Sequence, residues 1–87
     1  MDSVTKNMAK VIKWLKLKEK NIKVTIDKND FNFFVWSENL NIWGEGHSEE
    51  EAIKNFSKNA EELYCDLEKE SEHLGPALRK IWEFFQN

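Results

Sequence analysis

The spacing of apolar residues changes twice along the chain, and those two changes limit what it can fold into more than any other feature. Near the start, Val4, Met8, Val11, Ile12 and Leu15 fall in one stripe at helical spacing, with Lys6, Lys10, Lys13 and Lys20 gathered on the opposite side. That pattern predicts an amphipathic helix over about residues 3–20. From Asn21 the apolar residues alternate instead: Ile22, Val24 and Ile26 are separated by Lys23 and Thr25, the period of a half-buried strand. Asp27-Lys28-Asn29-Asp30 supplies turn-forming residues. Further extended runs follow from Phe31 to Trp36 and from about Asn39 to Trp43. Connections this short predict an antiparallel meander.

The helical period returns at Ser48-Glu49-Glu50-Glu51, a capping box in which the serine hydroxyl accepts from the backbone N–H three residues on. Ala52, Ile53, Phe56, Ala60, Leu63, Tyr64 and Leu67 then share one side of a helix predicted to run to about Glu72. At 1.5 Å per residue it would be about 36 Å long. Gly75-Pro76 ends it, and Leu78, Ile81, Trp82 and Phe85 form the apolar side of a last helix. Because 87 residues suffice for one core but not two, the expected fold is a single α+β domain. Its expected parts are an N-terminal helix, a three-stranded antiparallel sheet, a long helix packed on the sheet and a short C-terminal helix. Residues 1–20 form the basic helical extension in this scheme, 22–72 the core and 76–87 the last helix.

The net charge of −3 conceals an asymmetry. Residues 1–23 hold seven Lys against Asp2 and Glu19, whereas residues 24–87 hold six Lys and Arg against fourteen Asp and Glu. The acidic part favours a basic protein partner and disfavours nucleic acid for residues 24–87. Cys65 is the single cysteine, so no disulfide forms within the chain. No apolar run approaches a membrane span, and no uncharged stretch near the start resembles the core of a signal peptide; a cytoplasmic location is therefore expected.

The residue types that carry catalysis are sparse and poorly placed. Helical geometry puts Cys65 opposite the apolar stripe, near Glu61, Glu68 and Glu72, a neighbourhood ill suited to a nucleophilic thiolate. Cys65 and His73 lie eight residues apart, about 12 Å along a helix and too far to share a metal. His47 precedes the helix cap, and Gly44-Glu45-Gly46 is too short for a phosphate loop. These residues predict neither an enzyme nor a cofactor.

The sheet, by contrast, has a surplus of aromatics. Alternation places Ile22, Val24, Ile26, Phe31, Phe33, Val35, Leu40 and Ile42 on one face, where the long helix covers them. The other face then holds Phe34, Trp36 and Trp43 among Asn32, Asn41, Lys23 and Thr25, more aromatic than a solvated face usually is. Its cover is either one of the chain's own terminal helices, another protein or a second copy of the chain.

The stretch from Phe34 to Leu67 resembles the HicB family of toxin–antitoxin antitoxins. In that family an extended segment leads into a Gly-Asp-Thr-x-Glu-Glu-Ala helix start, matched here by Gly46-His47-Ser48-Glu49-Glu50-Glu51-Ala52 and the apolar positions Ile53, Phe56, Ala60 and Leu63. Ser37-Glu38-Asn39-Leu40 parallels the family's Pro-Asp-Leu-Pro-Gly without its prolines and glycine. Since residues 76–87 are too few for a helix-turn-helix or ribbon-helix-helix module, the resemblance is to a stand-alone HicB-like domain. It implies a non-catalytic α+β domain that binds and neutralises a HicA-type ribonuclease toxin, with no cofactor.

The expected function is therefore a non-catalytic protein-interaction module, in its specific form an antitoxin, binding through Phe34, Trp36 and Trp43; one alternative is a self-associating structural subunit, a homodimer. In the other alternative, Lys6, Lys10, Lys13 and Lys20 of the basic helix dock on nucleic acid or an anionic membrane surface.

Overall fold

A computed structural model describes residues 11–86. The order of elements is β1 (Val11–Leu17), β2 (Lys20–Lys28), β3 (Phe33–Ser37), β4 (Ile42–Gly46), α1 (Glu49–Lys69) and α2 (Pro76–Gln86). The four strands pair in sequence order, each antiparallel to the next. The molecule is α+β, but the expected N-terminal helix followed by three strands is overturned by a four-stranded sheet followed by two helices.

The correction lies at Val11–Leu17, where the apolar residues satisfy two periods at once. Val11, Ile12 and Leu15 fit a helical stripe, yet Leu15 and Leu17 also alternate with Ile12, Trp14 and Lys16. The second pattern prevails because β1 pairs with β2 along its whole length, from Val11↔Ile26 to Leu17↔Lys20, and because β-branched and aromatic residues favour a pleated surface. Such pairing requires a two-residue turn, so Lys18 and Glu19 take left-handed φ values of 51° and 63°. Neither is a residue type that marks such a turn, and each left-handed conformation costs about 1 kcal/mol. Residues 1–10 of the expected helix lie outside the described residues.

Further along, Phe31 is 83% exposed in the β2–β3 connection instead of facing the core. The last strand is shifted from the expected Asn39–Trp43 to Ile42–Gly46. Ser37 and Asn41 build the preceding loop: Ser37 Oγ accepts from the Leu40 N–H, the Ser37 carbonyl accepts from the Asn41 N–H, and Asn41 has a φ of 56°. The loop tucks Leu40 into the core.

Ser48 caps α1 as its sequence predicts, accepting from the Glu51 N–H at 3.1 Å, while Glu51 reaches back to the His47 N–H at 2.7 Å. The helix ends at Lys69 rather than near Glu72, and Gly75 does not adopt a left-handed φ. Ala52, Phe56 and Ala60 bury one face of α1 against Ile22, Val24, Ile26 and Val35. Its closest approach is to β4, where a Cβ on Gly44 would stand 2.3 Å from the Phe56 nitrogen and one on Gly46 2.7 Å from the Ala52 nitrogen. Two glycines at one strand's helix-facing positions let a helix backbone settle directly on the sheet. The second helix, α2, packs Ile81, Phe84 and Phe85 against the same core, and Trp82 and Phe85 meet Tyr64 of α1 at ring-centroid distances of 5.4 and 5.0 Å. Both helices therefore lie on one side of the sheet.

Candidate interaction surface

The pairing registers define what the other side of the sheet presents. Ile12 lies opposite Thr25, Thr25 opposite Trp36, and Trp36 opposite Trp43, so these four residues form one row across all four strands. Trp14 flanks the row next to Lys23, and Phe34 flanks it between Asp27 and Glu45. Strand alternation sends all these side chains away from α1. Trp14, Trp43 and Ile12 are 66%, 62% and 58% exposed, while Trp36 and Phe34 are half-buried by their neighbours.

The structure thus brings Phe34, Trp36 and Trp43 together. With Asp27 they line an open depression of about 370 Å³. Its aromatic walls offer electron-rich ring faces and its rim a carboxylate. A second, smaller depression beside it is lined by Lys23, Thr25, Trp36, Glu38 and Asn39. Charge is divided along the strands: Lys16 and Lys23 lie toward the β1–β2 turn, Asp27 and Glu45 toward the opposite end. Asn32 Nδ2 donates to Glu45 Oε2 at 3.2 Å. An apolar centre rimmed by charges of both signs is the anatomy of a protein interface.

Ile12, Trp14 and Asp27 escape the sequence reading of this surface. The first two are missed because residues 11–17 satisfy a helical stripe; the signal that finds them is the alternation of Ile12, Trp14 and Lys16 with Leu15 and Leu17. Asp27 is missed because its place among turn-forming residues hides its position at the end of β2.

The lysines of the alternative reading do not come together on a helix. Lys13 lies on the α1 side of β1 and is ion-paired with Glu49. Lys20 lies at the start of β2 on the same side, its ammonium 4.9 Å from the centroid of the Phe84 ring. Lys6 and Lys10 are outside the described residues. Elsewhere, Cys65 is free and exposed beside Lys58, Glu61, Glu62 and Asp66. Among the described residues, no group of three or more His, Cys, Asp or Glu is placed to hold a metal ion, and no helix is long and apolar enough to cross a membrane.

No family model, curated protein or solved structure matches the chain.

Proposed function

We propose that this chain is a non-catalytic protein-interaction module that binds a basic partner protein through the open aromatic face of its sheet. The observation that carries this reading is the depression formed by Phe34, Trp36, Trp43 and Asp27. Aromatic faces attract a guanidinium or ammonium, and a neighbouring carboxylate fixes it by a charge-assisted hydrogen bond. Aromatic anchors also bury much area at little conformational cost, which is why they dominate binding energy at many interfaces. Asp27 and Glu45, at one end of the same face, add attraction for a basic partner there. In the specific form of this reading the chain is an antitoxin and the partner a HicA-type ribonuclease toxin. That form rests on the resemblance of Gly46–Ala52 to the HicB helix start.

The test is co-purification from the native host, identification of the captured protein by mass spectrometry, and calorimetric titration of it against the full chain and its variants. The captured protein should be basic. Trp43→Ala should weaken its binding by about thirtyfold or more, the size of an interface hot spot, and Asp27→Asn should weaken it less. Capture of an acidic protein or a nucleic acid, or affinity untouched by either substitution, defeats the reading.

A further inference from the structure

The two edges of the sheet are treated differently by the rest of the molecule. Along β4, the carbonyls of Trp43 and Glu45 point out of the sheet, and both are occupied: Asn59 Nδ2 donates to the first at 2.8 Å and Asn55 Nδ2 to the second at 2.7 Å. The spacing explains why one helix serves both. Residues four apart on a helix are separated by about 6 Å, close to the nearly 7 Å between residues two apart on a strand. The β4 edge is thereby blocked to further strands.

Along β1, none of the described side chains hydrogen-bonds to the edge. The two-residue turn at Lys18-Glu19 makes Leu17 and Lys20 a hydrogen-bonded pair, so alternation turns the N–H and C=O groups of Leu15, Lys13 and Val11 toward β2 and those of Ile12, Trp14 and Lys16 outward. Val11, Ile12 and Trp14 are also largely exposed. A strand whose edge none of the described residues pairs with, and whose open-face side chains are apolar, is a template for another strand.

We propose that β1 pairs antiparallel with β1 of a second copy about a two-fold axis through Trp14, joining two four-stranded sheets into one of eight strands. The blocked β4 edge and the sequence of β1 select this occupant. A β1–β4 contact between copies would grow without closing, and Asn55 and Asn59 obstruct it; a β1–β1 contact closes as a dimer. Centring the pair on Trp14 pairs every described residue of the strand. It opposes Trp14 to Trp14, Ile12 to Lys16, Lys13 to Leu15 and Val11 to Leu17. Residues with outward backbone groups meet their like, and side chains of the two copies that share a face are neighbours. No lysine lies opposite another. Sliding by two residues toward the N-terminus would oppose Lys13 to its own copy, which is repulsive; sliding the other way would oppose Ile12 to Lys18, whose left-handed φ takes it out of the strand. The dimer would set the two aromatic faces side by side, giving a partner two equivalent sites.

The register is open to a cross-linking test on the full chain with Cys65→Ser as background. Opposed Cα atoms of a hydrogen-bonded pair are about 5.5 Å apart, within disulfide range, whereas an offset of four residues places them some 13 Å apart. Under mild oxidation the Ile12→Cys and Lys16→Cys variants should each stay uncross-linked alone and form a covalent dimer when mixed. Both positions are exposed, so neither substitution threatens the fold. Sedimentation of the unmodified chain should give twice the monomer mass, and Trp14→Lys, which opposes two ammonium groups at the axis, should weaken dimerisation about tenfold. A monomer at every concentration overturns the proposal; if its β1 amides are nonetheless protected from hydrogen exchange, the chain's own residues 1–10 occupy the edge. Cross-linking of either variant alone as efficiently as the mixture overturns it too. Loss of partner binding in Trp43→Ala with the dimer intact would leave this pairing standing, so the two proposals fail separately.

Discussion

The two faces of the sheet are built by the same strands with the same alternation, yet they differ sharply. On the helix side, Ile22, Val24, Ile26 and Val35 are each at most 2% exposed. On the other, Ile12, Trp14 and Trp43 keep more than half their surface. The residue types differ accordingly: aliphatic side chains and glycines where a helix settles close, large aromatics where nothing among the described residues lies above them. A core requires shape-matched filling, because a void forfeits contacts on one side. An open face has no such requirement for the fold, and the proposed partner binding would give its aromatics a use.

Substitutions on the two faces should separate these roles. The largest effect is expected at Phe56, buried between α1 and the sheet: Phe56→Ala should destabilise the fold by about 4 kcal/mol in chemical denaturation. A loss no greater than that of an exposed position would mean that α1 does not pack through this face. Next comes Gly44→Ala, whose added Cβ would meet the backbone nitrogen and Cα of Phe56 at 2.3 and 2.6 Å. Backbone cannot swing aside as a side chain can, so a loss of about 3 kcal/mol is expected. Unchanged stability there would show that α1 sits farther from β4. Ser48→Ala removes the acceptor for the Glu51 N–H and should cost about 1 kcal/mol. The smallest effect is expected on the open face, where Trp43→Ala should move stability by about 0.5 kcal/mol or less while weakening partner binding. If its denaturation midpoint falls as far as that of Phe56→Ala, Trp43 serves the fold and the contrast between the faces collapses.

The same contrast bears on what was legible beforehand. Phe34, Trp36 and Trp43 were recoverable because alternation within a strand is a local property, and their surplus on one face follows from it. Trp14 and Ile12 were not, since the segment Val11–Leu17 fits both a helix and a strand, and only pairing with β2 decides between them. Gly44 and Gly46 were visible as residues but not as the seat of α1, because close approach between a helix and a strand is a relation between elements. The edge-blocking amides of Asn55 and Asn59 were silent for the same reason: two asparagines four apart on a helix are ordinary until a strand edge of matching spacing lies beside them.

By itself, the sequence determined that an antiparallel run of strands precedes a helix capped at Ser48, and which faces of β2, β3 and α1 are apolar. These are consequences of periodicity and of side-chain chemistry acting over a few residues. Tertiary structure alone decided that Val11–Leu17 is a strand, that Lys18 and Glu19 bear the left-handed turn, that both helices gather on one side, and that α1 blocks one sheet edge while none of the described residues covers the other. Each of these depends on a competition between partners distant in the chain: a seven-residue ladder with β2 outweighs a helical stripe and two unfavourable backbone conformations. That balance is set only when the elements meet.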